Sequence, residues 1–150
     1  MSTTFDIEHT VTADDTDYAR NVFFADFLKW QGHSRDRFLM RYAPDFLEEL
    51  NSARTVITTR CQCEYFLAVT VADTVSIRLS IPTVYFNLAI LRFAYHLLDP
   101  DNNDPLVARG EQQVACVRRD ENETVPTSWP REVLRAAEDL GGDVSRAFVD

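Results

Sequence analysis

Residues 4–12, TFDIEHTVT, alternate Phe5, Ile7, His9 and Val11 with Thr4, Asp6, Glu8 and Thr10. A period of two predicts a half-buried strand. The stretch 13–20, ADDTDYAR, is polar and acidic and reads as a loop. The period then changes. No proline occurs from 22 to 42, and Phe23, Phe27, Trp30, Phe38 and Tyr42 recur at steps of three, four and eight. Phe24, Leu28, Leu39 and Met40 widen the stripe, which predicts an amphipathic helix of about five to six turns. Arg35, Arg37 and Arg41 fall in its C-terminal half, where the helix dipole favours cations. Gly32 in mid-helix costs about 1 kcal/mol against Ala and suggests close approach by a strand or ligand. Pro44 ends the helix, and 44–50 reads as a short extra turn.

Four strand-like stretches follow, at 55–66, 74–81, 85–98 and 106–118. The second is the cleanest, with Val75, Ile77, Leu79 and Ile81 set against Ser76, Arg78 and Ser80. The links 67–73, 82–84 and 99–105 read as turns, and DPDNNDP in the last is the least ambiguous. A loop to Pro130 precedes a short helix at 131–140. Strands in succession with short links form antiparallel sheets. One wide helix stripe and one sheet face are both buried if a curved sheet wraps the helix. The expectation is an α+β fold, an antiparallel five-stranded sheet around one long central helix, in a single domain over 1–150.

Charge narrows the function. The net charge is −9, with 15 basic and 24 acidic residues. Residues 1–20 and 119–150 each sum to −4, and the middle is nearly neutral. An acidic chain without a basic stripe repels phosphate backbones, which excludes nucleic-acid binding as the main role. No apolar run is long enough for a membrane span, and the start of the chain lacks a signal-peptide pattern, so a cytoplasmic location is expected. Cys61, Cys63 and Cys116 are expected to be reduced packing residues. There is no P-loop, G-x-G-x-x-G or G-x-S-x-G, and no spacing of metal ligands, so neither cofactor nor metal is expected.

The candidate chemistry lies at the loop-to-helix junction, DDTDYARNVFF, residues 14–24. Asn21 is the expected N-cap. Free backbone N–H groups of the first turn, around Val22 to Phe24, would then face the loop with the positive end of the dipole behind them. Such donors stabilise a carbonyl oxygen gaining negative charge. Asp17, four residues before Asn21, is close enough to attack a substrate there or to deprotonate water. The same acids equally well complement the dipole alone. Arg35 returns to the face of Asn21 after 14 residues, but roughly 21 Å along the axis. It either joins a site shared between subunits or has a structural or phosphate-facing role. His9, His33 and His96 show no ligand or base pattern.

The element order and the segment 16–24, Thr-Asp-Tyr-Ala-Arg-Asn-Val-Phe-Phe, resemble the hot-dog fold thioesterases of the 4-hydroxybenzoyl-CoA thioesterase type. In that resemblance Asp17 matches the catalytic aspartate, Phe24 matches the residue whose N–H polarises the thioester, and Arg20 stands in place of a glycine. The segments NVFFADFLKWQGHSRDRFL (21–39), CEYF (63–66) and VARGEQQVACVRR (107–119) are similar to the thioesterases of enediyne polyketide biosynthesis. In that branch the aspartate position is typically Asn, and a helix arginine, matched here by Arg35, is implicated in the site. The resemblance implies release of a polyene β-ketoacyl chain from an acyl carrier protein domain of an iterative polyketide synthase. It implies homotetramers, as dimers of dimers, with sites between subunits. Phe23, Tyr65 and Phe66 then line an acyl channel or else belong to the core. The rivals are a thioesterase for acyl- or aryl-coenzyme A and a non-catalytic acyl-binding partner of a synthase.

Overall fold

The computed structural model describes residues 3–50 and 54–148. Strand β1 (Phe5–Thr10) keeps the predicted alternation of half-buried and exposed positions. The long helix α1 (Phe24–Tyr42) and the short α2 (Pro44–Glu49) come next. Four strands follow: β2 (Arg54–Tyr65), β3 (Thr74–Val84), β4 (Leu88–Leu97) and β5 (Leu106–Asp120). A four-residue β6 (Glu123–Pro126) and helix α3 (Arg131–Asp139) complete the chain. All five pairings are antiparallel, in the order β1-β3-β4-β5-β2, with β6 added to β5. The sheet therefore has six strands rather than five. The sixth is short, mostly exposed and without alternation, so it left no periodic signal.

The curved sheet holds α1 against its inner face, as a hot-dog fold does. Phe27, Trp30, Phe38 and Leu39 of α1 are buried, and they meet Val75, Ile77 and Leu79 of β3 and Phe93 and Tyr95 of β4 in one core cluster. The ends of the predicted stripe fall outside it, since Phe23 and Tyr42 are about two-fifths exposed. Register shifts at Ser80/Thr83, Thr58/Arg60 and Tyr95/His96 interrupt the ladders, and such bulges increase local bending and twist. Pro82 sits in the first of them, where the ladder is already interrupted and a missing N–H costs little. Strand β3 thus continues to Val84 through residues whose proline predicted a turn. Gly32 has no atom within 4 Å of a built Cβ, so the close approach expected there is absent. The glycine that does mark one is Gly110 on β5, where a Cβ would collide with the side-chain amide of Gln31. Among the described residues no helix is long and apolar enough to cross a membrane. All three cysteines are free, but only Cys116 is buried; Cys61 is exposed and so does not pack.

Candidate active site

The loop before α1 is built from main-chain hydrogen bonds and from side chains that bond back to the main chain. Asp17 N–H donates to the Asn21 carbonyl at 2.8 Å, and Arg20 N–H donates to the Asp17 carbonyl at 2.9 Å, closing a turn. Thr16 and Val22 bridge across its base, and Asn21 bridges to Thr70. Arg20 completes the turn at φ 68°, in the left-handed region that glycine enters at no steric cost. That explains why the resembling thioesterases have glycine at this place. The Thr70 hydroxyl donates to the Arg20 carbonyl at 2.9 Å and holds the strained residue.

Two expectations for this junction need correction. Asn21 is not the N-cap, because its amide and carbonyl are committed to the turn; the helix begins two residues later, with Phe23 at the cap position and no side-chain cap. The free donors also shift. Val22 N–H donates to the Val69 carbonyl at 2.8 Å and Phe23 N–H to the Asp15 carbonyl at 2.7 Å. Among the described residues, the unpartnered amides are those of Phe24 and Ala25, the first two of α1. They stand at the positive end of a 19-residue helix, where a developing oxyanion is stabilised.

Asp17, Asn21, Phe24, Phe27, Tyr65 and Phe66 line an open cavity of about 360 Å³, together with Leu67, Ala68 and Val69. The Asp17 carboxylate is exposed. Its Oδ1 accepts the Ala19 N–H at 2.9 Å and the Asn21 N–H at 3.3 Å, leaving Oδ2 without a hydrogen bond among the described residues. The Tyr65 hydroxyl donates to the Phe24 carbonyl at 2.7 Å and ties the end of β2 to the first turn of α1. Burial and the neighbouring Cys63 push this phenol up to about 12. Burial likewise pushes the Cys63 thiol up to about 11, so it carries its proton at neutral pH and is no nucleophile. Phe23 is not part of the lining; its ring stacks on Phe24 at 4.6 Å. Phe24, Phe66 and Leu67 of the lining leave apolar surface exposed at its rim.

Arg35 stands apart, 11 residues further along α1, or roughly 16 Å at the helical rise. Its Nη1 donates to Thr58 Oγ1 at 2.8 Å and to Gln112 Oε1 at 3.0 Å, and its Nε lies 3.4 Å from Asp36. It borders a narrow apolar cavity of about 30 Å³ with Phe38, Val56, Val114 and Trp129. The polar set around it was missed, although one signal existed. Gln112 occupies an inward position of β5, between Gly110 and Val114, where the alternation calls for an apolar residue. Among the described residues no group of three or more His, Cys, Asp or Glu is arranged to hold a metal. A cleft of about 520 Å³ between α3 and the start of β2 contains none of the predicted site residues.

Comparison with known proteins bears on the family and the fold. The pattern of the thioesterase-like superfamily matches residues 11–137. A search of curated proteins finds no match. Among solved structures, the dynemicin thioesterase is 31% identical, with a TM-score of 0.87, over 91% of this chain and 96% of that one. A 1,4-dihydroxy-2-naphthoyl-CoA thioesterase from Synechocystis is 19% identical with a TM-score of 0.78, over 92% of this chain and 98% of that one. A 4-hydroxybenzoyl CoA thioesterase mutant, solved with 4-hydroxybenzoyl CoA, is 12% identical with a TM-score of 0.80, over 91% and 99%. At those identities the last two show a shared fold and nothing more. With the pattern spanning most of its length and a sheet curled round one long helix, the chain belongs to the hot-dog thioesterase-like superfamily.

Proposed function

We propose that this chain hydrolyses a polyene β-ketoacyl thioester carried by an acyl carrier protein domain, in the cytoplasm, during enediyne-type polyketide biosynthesis. One arrangement carries the reading: Asp17, whose carboxylate has a free oxygen, and Phe24, whose helix amide is unpartnered, line one open cavity. The substrate class draws support from the likeness to the dynemicin thioesterase, whose structures concern polyene binding.

The thioester carbonyl oxygen takes a hydrogen bond from Phe24 N–H. Asp17 Oδ2 accepts a proton from water as the water oxygen bonds to the carbonyl carbon. The carbonyl π pair moves onto oxygen, facing the helix N-terminus. Collapse of the intermediate breaks the C–S bond, and the thiolate leaves with the proton. The products are a carboxylic acid and the carrier thiol. With Oδ1 held by two amides, Oδ2 is the oxygen available for this work. Asn21 holds the turn through its own N–H and carbonyl rather than capping the helix.

Arg35 orients the chain or the product carboxylate in the same proposal. A homotetramer with sites between subunits supplies what one chain lacks, since Arg35 and Asp17 stand far apart within it. The exposed apolar rim and the unpaired edge of β2 support such assembly. The narrow cavity beside Arg35 has to widen to admit an acyl chain.

The test is a side-by-side assay of carrier-bound β-ketoacyl esters and coenzyme A esters. Faster turnover of the carrier-bound esters is expected. Preference for acyl- or aryl-coenzyme A would favour general metabolism instead. No turnover of any thioester, with ligand binding unchanged in Asp17→Ala, would leave a non-catalytic acyl-binding partner.

A further inference from the structure

Asp15 stands two residues before Asp17 and does not line the cavity. Its Oδ2 accepts three donors: Thr12 N–H at 2.9 Å, the Thr12 hydroxyl at 3.3 Å and His9 Nε2 at 2.8 Å. Its backbone carbonyl accepts the N–H of Phe23 at 2.7 Å. One residue thus joins β1 through His9, the loop through Thr12, and the start of α1 through Phe23. His9 is fixed in turn by Trp30 of α1, ring centroids 4.7 Å apart. Its recess also receives Glu8 from β1 and His33 and Arg37 from α1. Burial alone would raise the Asp15 carboxyl, but the Thr12 amide, the His9 ring and the Thr12 hydroxyl outweigh it and hold it below the usual carboxylate range. The anchor therefore stays ionised at neutral pH. A neutral imidazole with its proton on Nε2 donates to it as a charged ring does, so the contact tolerates either state of His9.

The geometry points to His9 and Asp15 as positioning residues of the thioester site, holding the Asp17 turn and the first amides of α1 in register through the Asp15 carboxylate and carbonyl. Neither touches the substrate. Both loop-side members of the site hang from this anchor: Asp17 is two residues beyond it, and Phe24 follows the residue whose N–H it binds. The link from His9 is the only one of the three carboxylate bonds that reaches outside the loop itself. Without it the loop keeps its local turns but loses its side-chain tie to β1. Displacement of a catalytic group by about 1 Å is enough to cost on the order of 10²-fold in rate.

This inference rests on the proposed hydrolysis for its kinetic readout, and so it is tested by two measurements. His9→Phe keeps an aromatic ring against Trp30 but removes the donor; His9→Gln keeps a donor at similar reach. In His9→Phe, kcat is expected to fall roughly 10-fold or more with KM changed far less, and His9→Gln is expected to restore most of the loss. Amide hydrogen exchange at Phe23 should quicken in His9→Phe, recover in His9→Gln, and leave the amides of β4 unchanged in both. Should the wild type hydrolyse no thioester, the proposed function fails while the exchange measurement still decides the anchor. Equal losses in both variants, exchange at Phe23 unchanged in His9→Phe, or faster exchange with unaltered kcat in an active enzyme would each overturn the inference.

Discussion

The two ends of α1 are held by different means. At its start, Asp17, Asn21 and Phe24 are placed by bonds in which the main chain is always one partner, and their side chains are exposed. Toward its other end, Arg35 is placed by side chains: Thr58 on β2, Gln112 on β5 and Asp36 beside it. Gln31, fully buried, donates to the Gln62 carbonyl at 3.1 Å and passes over Gly110. The junction depends on backbone path, and the Arg35 region depends on fit between particular side chains. Substitutions at the junction should therefore change chemistry and spare stability, while substitutions in the buried packing around Gln31 and Gly110 should cost stability.

The largest expected effect removes a junction amide without removing the helix. Phe24 is the first helical position, where proline is well tolerated, and Phe23 already has φ −63° and ψ 131°, the conformation a following proline requires. Phe24→Pro should lower kcat by about 10²–10³-fold, the usual cost of losing one oxyanion donor. Its melting curve should match wild type, and Phe24→Ala, which keeps the N–H, should retain most activity. Next comes Asp17→Asn. Turnover should drop roughly 10²-fold or more if the carboxylate is the base, again without loss of stability; equal rates would assign the reaction to the amides alone. At the other region, Gly110→Ala forces Gln31 off the Gln62 carbonyl and leaves its amide buried without a partner. About 1–3 kcal/mol of stability should be lost, as read by denaturant unfolding. Gln31→Leu in the same chain should reduce that loss.

Alkaline unfolding probes the ground between the regions. Burial pushes Cys63 and Cys116 up to about 11 from an ordinary 9.0. The unfolded chain then releases these protons before the folded one does. Their contribution is complete below about pH 9 and should be lost progressively as pH rises toward 11. Cys63→Ala should flatten part of that decline in chemical-denaturation series at fixed pH. The smallest effect is a gain. With open space around its Cα, Gly32→Ala should raise stability by up to about 1 kcal/mol.

Periodicity made most of the fold legible. The alternation of 74–81 and the stripe through Phe27, Trp30 and Phe38 are direct records of which faces are buried. What escaped was decided by tertiary partners. Val69 and Asp15 occupy the amides of Val22 and Phe23, and neither contact can be read from local spacing. That is why the helix start was placed two residues early and given the wrong cap. Gly32 and Gly110 make the same point: one is open and the other crowded, and only the packing of Gln31 against β5 distinguishes them. In the site, the resemblance brought Asp17 and Phe24 to one cavity, while Gln112 was hidden inside an otherwise regular strand.

The turn that carries Asp17 asks of that side chain only an oxygen able to receive two amide protons, and a carboxamide supplies one as well as a carboxylate does. Folding is therefore indifferent to which of the two stands there. A descendant of this chain can exchange one for the other in a single step and keep its architecture, so selection on the rate and the substrate acts at this position without opposition from selection on foldability.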